Sequence, residues 1–171
     1  MIIQAIGFIG VLCFIISFQF RSTKALLICQ ITGSSIFCLQ FILLGAYIGA
    51  INLIVGIFRN FLVVNRDRLP WARSWLVCFG LIGICLASMV IFWNGYLSIL
   101  PFLALAGSSI GYWTKNARNI RLSNLTCASP SWLVYDLLVG SWGGAANEIV
   151  TIMSALVSIY RYGWKQLGAA E

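Results

Sequence analysis

The sequence has little charge and no histidine. Only 9% of its 171 residues are charged, and Asp and Glu together number 4. A soluble domain carries charge at about a quarter of its positions, so this composition excludes a body covered by water. Without histidine, and with cysteines that form no CxxC pair, the chain lacks the common zinc-binding patterns. We therefore expect no metal site and no cofactor.

The chain is instead rich in apolar residues, which make up 61% of it, with a mean hydropathy of +0.96. Backbone amides in hydrocarbon must be satisfied internally, which leaves helices or closed barrels. Barrel strands alternate apolar and polar residues, whereas these apolar runs are continuous over about twenty residues, the length of a membrane-spanning helix. The composition predicts an all-α integral membrane protein whose main partner is the lipid bilayer.

Seven apolar stretches are separated by polar breaks. The first is not preceded by a basic segment or followed by a cleavage site, so we expect a retained helix rather than a signal peptide. The sixth contains Pro130, which we expect to kink it. The predicted helices are Ile2–Phe20, Ala25–Leu44, Tyr47–Val64, Trp75–Trp93, Leu97–Trp113, Leu122–Val139 and Ala145–Tyr160.

The basic residues occupy alternate connections between these helices. The connections around Ala46, Asn94 and Gly143 carry no Lys or Arg. By the positive-inside rule, seven spans then place the N-terminus in the periplasm and the C-terminus in the cytoplasm. The net charge of +7 is therefore a topology signal, and we expect no nucleic-acid partner. The residues concerned are Arg21, Lys24, Arg66, Arg68, Arg73, Lys115, Arg118, Arg121, Arg161 and Lys165.

The chain also matches itself at a shift of 147 − 52 = 95 residues, which places Leu43–Arg66 on Leu138–Arg161. Asn52 then falls on Asn147, and glycines fall on glycines at two positions. This match predicts a parallel repeat, with helices one to three equivalent to helices five to seven and an axis along the membrane normal. The predicted units are a first triple-helix bundle (1–66), a linker loop and helix (67–95), a second triple-helix bundle (96–166) and a tail (167–171).

Three ionisable residues lie inside the predicted spans: Arg59, Asp136 and Glu148. A charge at bilayer depth costs about 2.5–3.5 kcal/mol or more, so such residues usually face a bundle interior or a watery cavity. We expect Arg59 to bind an anionic group of a substrate, and Asp136 or Glu148 to couple substrate to protons. The alternatives are that Arg59 snorkels to the interface and that Glu148 lies at the headgroup level.

A polar stripe with helical spacing follows the seventh helix. The repeat places a corresponding stripe, which includes Arg59, on the third helix. Such stripes either line a substrate path or pack helices together, and the presence of Arg59 favours a path. The two stripes are Asn147, Thr151, Ser154 and Ser158, and Asn52, Gly56, Arg59 and Val63.

Aromatic residues are numerous, and most lie at predicted interfaces, where aromatic belts are expected. Trp132 and Tyr135 stand beside Asp136 in the sixth helix. We expect these two side chains to form a platform for a ligand, and packing in the core or the belt is the alternative.

Several segments resemble the YgjV family of bacterial inner-membrane proteins: GAYIGAINLIVGIFRN (Gly45–Asn60), SWLVYDLLVGSWGGAANEI (Ser131–Ile149) and Tyr160–Tyr162. That family is similar to the PQ-loop/SWEET superfamily, which includes sugar carriers and PnuC-type vitamin B3 nucleoside transporters. The resemblance implies a 3+1+3 helix arrangement and alternating access. It also implies paired asparagines on helices three and seven, which Asn52 and Asn147 match.

The chain departs from that superfamily at its signature. The proline-glutamine pair is replaced by Ser17-Phe18-Gln19 in the first helix and by Tyr112-Trp113-Thr114 in the fifth. A rocking motion hinged at those prolines is therefore not expected of this chain.

These observations together favour a carrier for a small polar metabolite, namely a sugar, a nucleoside or a small anion. A receptor or carrier subunit that binds without transporting is the alternative, and a homo-oligomer is compatible with either. An intramembrane enzyme is disfavoured, because the chain has no histidine, no GxSxG motif and no clustered metal ligands.

The topology is testable with reporter fusions. Green fluorescent protein fused to the C-terminus should fluoresce, because it folds in the cytoplasm, and alkaline phosphatase at the same position should be inactive. Phosphatase fused after Asn94 should be active, since that connection is expected in the periplasm. The reverse pattern would contradict the assignment of the basic connections to the cytoplasm.

Overall fold

The structure is a computed structural model that describes residues 2–17, 23–114 and 116–162. Within these ranges the chain is helical almost throughout and forms no β-strand, which confirms the all-α class. A 3₁₀ turn (Pro70–Arg73) precedes the fourth helix, and a π turn (Asn124–Ala128) joins the sixth to the seventh. The helices are α1 (Ile2–Ser17), α2 (Thr23–Leu43), α3 (Tyr47–Val64), α4 (Trp75–Ile91), α5 (Ile99–Trp113), α6 (Ala117–Ser123), α7 (Ser129–Val139) and α8 (Trp142–Tyr162).

The helices are apolar on their exterior. Leu76 is 81% exposed and Ile91 is 73% exposed, at opposite ends of α4. Two segments, Tyr47–Val64 and Gly95–Trp113, are long and apolar enough to cross a membrane, and Ile2–Ile16, Ile28–Leu43 and Trp75–Ile91 are apolar but shorter. This surface is compatible with a helical membrane protein, and the count of seven spans stays a prediction.

The predicted sixth helix differs most from the structure. It begins at Ala117 rather than at Leu122, and its distortion precedes Pro130. Because proline has no N–H, it cannot complete the α-helical ladder behind it. The chain widens into a π turn instead, in which the Ser129 N–H bonds the Asn124 carbonyl. α6, the π turn and α7 together take the place of the predicted helix, and α8 is the predicted seventh.

Six helical rods form a closed ring. α1 packs on α2, α2 on α3, α3 on α5, α5 on the rod from α6 to α7, α7 on α8, and α8 back on α1. α4 lies outside this ring and packs on α3 and α5. Its buried face carries Cys78, Leu81 and Cys85, which pack against an apolar cluster that includes Leu62 and Leu105.

One end of the ring carries three turns with no basic residue, and we call it the uncharged end. Each turn holds a glycine with positive φ: Gly45, Gly95 and Gly140. At Gly45 and Gly140 the left-handed conformation closes a helix, with an N–H bonded to a carbonyl five residues earlier (Ala46 to Phe41, Ser141 to Asp136). The donors of these two bonds are 95 residues apart in the sequence, and so are their acceptors, which makes the two bonds equivalent in the predicted repeat. The opposite end, with Arg66 and Arg73, is the basic end.

α1 and α8 approach each other closely at the uncharged end. A Cβ at Gly143 would lie 2.6 Å from the backbone carbonyl carbon of Gly7. Backbone cannot move aside as a flexible side chain can, so glycine is required where these two helices cross.

The substitution Gly143→Ala should therefore destabilise the protein. We expect it to lower the free energy of unfolding by about 1–3 kcal/mol through overpacking, measured as a lower unfolding temperature in detergent. Gly80→Ala is the matched control, because a Cβ there meets nothing within 4 Å. Equal unfolding temperatures for the two variants would contradict the close crossing.

Candidate functional site: the central cavity

The ring surrounds a partly open cavity of about 150 Å³ that is lined from all six rods. Of the described residues, none from α4 lines it. The wall reaches from Gly144, near the uncharged end, to Tyr112 and Asn124, near the basic end. Its polar and charged members are Gln30, Ser34, Asn52, Arg59, Asn60, Ser108, Asn124, Ser129, Asp136, Asn147, Glu148 and Thr151.

Arg59 projects from α3 toward α5. Its Nη1 donates to the Ser108 hydroxyl at 2.7 Å and to Ser109 at 3.3 Å. Nε and Nη2 donate to Asn60 Oδ1 at 3.2 and 3.1 Å. The guanidinium carbon lies 4.3 Å from the ring centroid of Tyr112, a cation–π contact. These contacts hold the side chain rigidly against one wall.

Every one of these partners is neutral. Arg59 is only 6% exposed, so its side chain does not snorkel to the interface, and that alternative is wrong. A guanidinium has five N–H donors, and one N–H of Nη2 has no acceptor among the contacts above. A buried cation without a counterion is costly. The wall therefore offers a positive charge that an anionic group of a ligand would balance.

Asp136 projects from α7 toward the first turns of α8 and is 2% exposed. Its carboxyl group contacts the Ser141 hydroxyl, while Oδ1 has no hydrogen-bond partner within the described part of the chain. A Cβ at Gly144 would overlap Oδ1, so this glycine makes room for the carboxyl group. The absence of a side chain at one position of α8 thus allows a carboxyl group from α7 to lie between the two helices.

Glu148 lies close to Asp136 and is half-buried in the same wall. Its Oε1 accepts a hydrogen bond from the Asn147 amide at 3.3 Å, and the Ser129 hydroxyl also contacts its carboxylate. The carboxyl group therefore faces the cavity. The two acidic side chains form the negative part of the wall, opposite in sign to Arg59.

Asn52 and Asn147 occupy equivalent places in the two halves, each as the sixth residue of its helix. The Asn52 amide donates to the Ile48 carbonyl at 2.9 Å. Both side chains are buried, and the Oδ1 atom of each has no hydrogen-bond partner among the residues that the structure describes. Because buried polar groups are nearly always hydrogen-bonded, these two oxygens are ready acceptors for a ligand that carries N–H or O–H groups.

The two predicted platform residues contact each other edge to face, with ring centroids 5.7 Å apart, but only Trp132 lines the central cavity. Trp132 lines the cavity and stacks on Phe41, with ring centroids 5.8 Å apart and 13° between planes. Tyr135 is buried behind this pair, and its hydroxyl accepts a hydrogen bond from the Gly49 N–H at 3.1 Å. Tyr135 therefore caps the start of α3 and does not line the central cavity.

This cap is part of a seal at the uncharged end. Besides the bond from Gly49 to Tyr135, the Ser141 hydroxyl donates to Gln40 Oε1 at 3.2 Å. The Gln4 amide donates to the Gly140 carbonyl at 2.7 Å. Each of these bonds joins a residue of α1–α3 to a residue of α7 or the turn before α8. The seal thus consists of contacts between the two predicted halves.

Only part of the predicted stripe on α8 lies in the cavity wall. Thr151 lines the cavity, but Ser154 is not in its wall, and the side chain of Ser158 lies outside the described residues. Among the residues that hold Arg59, sequence reasoning did not anticipate Asn60, Ser108 or Tyr112. The i, i+4 spacing of Ser108 and Tyr112 on one face of α5 is the signal that was available for them.

The chain matches one known protein family over almost its whole length. The family model described as Imp-YgjV, bacterial inner membrane protein, matches residues 1–166. The chain belongs to the Imp-YgjV family. This confirms the resemblance to the YgjV family and the inner-membrane location. No curated protein and no solved structure matches the chain.

For this family member, the cap on α3 makes a testable prediction. Tyr135→Phe removes the acceptor for the Gly49 N–H and leaves a buried donor unsatisfied. The free energy of unfolding should fall by about 1–3 kcal/mol, measured by thermal unfolding in detergent. Tyr47→Phe, at an exposed tyrosine on the same end, should change stability by less than about 0.5 kcal/mol. Equal losses would show that Tyr135 stabilises through its ring alone.

Proposed function

We propose that this inner-membrane protein is a carrier for a small polar metabolite, rather than an enzyme, and that it works by alternating access between two repeated halves. The observation on which the proposal depends is the buried guanidinium of Arg59, held by neutral partners on the wall of a cavity that six helical rods surround. A group that is so costly to bury usually serves a ligand in membrane proteins.

The pattern of helix contacts supports a repeat of the 3+1+3 kind. α1, α2 and α3 pack in series, as do α5, the α6–α7 rod and α8. The contact of α3 with α5 then corresponds to the contact of α8 with α1, as a twofold axis through the cavity would require. The equivalent glycine turns at the uncharged end also support this repeat. This arrangement is our reason to propose kinship with the PQ-loop/SWEET superfamily.

The seal supports an opening motion. Its hydrogen bonds between the halves contribute about 0.5–1.5 kcal/mol net each, and separation there must also part α1 from α8 at the Gly7–Gly143 crossing. If the uncharged end is periplasmic, as the positive-inside rule predicts, the described conformation is closed to the periplasm. Its cavity then extends toward the cytoplasm, to Tyr112 and Asn124.

Within this scheme Arg59 binds an anionic group of the substrate, and the orphan oxygens of Asn52 and Asn147 accept hydrogen bonds from its donors. The two asparagines come from opposite halves. A ligand that bonds both would therefore bind best at one relative position of the halves. The assignment of Asp136 and Glu148 to proton coupling stays a prediction.

Transport is the decisive measurement. Uptake of radiolabelled glucose, uridine, lactate and 4-aminobutyrate into proteoliposomes should exceed that into protein-free liposomes for at least one solute. Arg59→Ala should reduce that uptake by about tenfold or more, since hydrogen bonds to a charged group contribute about 1.5–3 kcal/mol. The control is Arg68→Ala, at an exposed arginine of the basic end, which should leave uptake unchanged.

Two results would contradict the proposal in different ways. Unchanged uptake by Arg59→Ala would remove this residue from the mechanism. Ligand-induced stabilisation of the purified protein without any flux would favour the alternative of a receptor or carrier subunit that binds but does not transport.

A further inference from the structure

The cavity wall carries opposite charges on opposite sides. Arg59 belongs to α3, whereas Asp136 and Glu148 belong to α7 and α8. None of the contacts made by Arg59 is with either carboxylate. The charges thus share one cavity without pairing across it.

The negative side is incomplete in a way that points to a ligand. Asp136 is 2% exposed and Asn147 is 5% exposed. Each lines the cavity, and each has a side-chain oxygen without a hydrogen-bond partner in residues 2–17, 23–114 and 116–162. The Asn147 amide and the Ser129 and Ser141 hydroxyls already contact the two carboxyl groups, so the atoms left without a partner among the described residues are acceptors. Two neighbouring carboxyl groups, when ionised, attract a cation. The group that fits is a positively charged N–H donor, such as an ammonium.

From this geometry we infer that the substrate of the proposed carrier is a small zwitterion, with its carboxylate at Arg59 and its ammonium group at Asp136, Glu148 and Asn147. The inference rests on the proposed function and adds the class of substrate. Trp132, which lines the same cavity, adds an aromatic surface of the kind that favours cations.

The cavity also limits the size and length of the ligand. A volume of about 150 Å³ is comparable to a cavity that accommodates benzene, which favours ligands smaller than a hexose or a nucleoside. Arg59 follows Asn52 by seven residues, roughly 10 Å along the helix at 1.5 Å per residue, and Asn52 is equivalent to Asn147. An ω-amino acid, whose charges are separated by several methylene groups, spans that offset better than glycine.

Binding of matched compounds to the purified protein tests this inference. The probes are 4-aminobutyrate, butyrate and butylamine, which share a four-carbon chain but differ in charge, together with glycine and 5-aminovalerate. Dissociation constants are measured by calorimetry and by the shift in unfolding temperature. We expect 4-aminobutyrate to bind about tenfold or more tightly than butyrate or butylamine, and glycine to bind more weakly than the longer amino acids.

Variants test separately how the protein binds each end of the ligand. Asp136→Asn should remove the advantage of 4-aminobutyrate over butyrate while butyrate still binds. Arg59→Gln should remove its advantage over butylamine. Glu148→Gln, at the half-buried carboxylate, provides a second test of the ammonium end if Asp136→Asn fails to fold, as judged by circular dichroism.

The outcomes distinguish this inference from the proposed function. Equal binding of butyrate and 4-aminobutyrate, or a change at Asp136 that alters only the response of uptake to a pH gradient, would overturn the zwitterion and leave the carrier. Stronger binding of glucose or uridine than of any amino acid would also overturn it. Absence of flux for every solute would contradict the carrier itself, even where 4-aminobutyrate binds as expected.

Discussion

The cost of placing charge in hydrocarbon constrains this structure more than any other interaction. A charged side chain at bilayer depth costs at least about 2.5–3.5 kcal/mol, and a membrane-facing helix offers no water to reduce that cost. Arg59, Asp136 and Glu148 all point into the ring, while α4, outside it, exposes residues such as Leu76 and Ile91. The ring is what allows an apolar chain of this kind to keep ionisable residues at all.

The two halves share their scaffold and differ in their chemistry. The turns at Gly45 and Gly140, and the buried asparagines on α3 and α8, occupy equivalent positions. The charged positions do not correspond: Arg59 falls on Ser154, Asp136 on Phe41 and Glu148 on Leu53 at the 95-residue shift. In the proposed carrier, the repeat would supply the path, and the positions that differ between the halves would supply its basic side and its acidic side.

The sequence predicted what depends on local pattern and missed what depends on packing between elements. The bounds of Tyr47–Val64 agree with α3, because polar and glycine-containing breaks delimit an uninterrupted apolar run. The π turn before Pro130 was not predicted, since how a chain absorbs a missing N–H depends on its surroundings. The inward placement of Arg59 followed from its cost in lipid, whereas its partners on α5 required the fold.

The role of Tyr135 also depends on packing between elements and was not predicted from the sequence. It connects the fold to the proposed mechanism. Ala46, before α3, has no hydroxyl to cap the helix, whereas the equivalent Ser141 accepts from the Gly144 N–H at 3.3 Å. The phenol of Tyr135 supplies the missing cap from the other half. Because one helix start is capped only while the halves are in contact, opening the uncharged end would free the Gly49 N–H to water. To shift the equilibrium, a substrate must favour the open state by the cost of breaking these bonds and of parting α1 from α8 at the Gly7–Gly143 crossing. α4 packs on both α3 and α5. It therefore joins the two proposed halves at a contact that is separate from the seal.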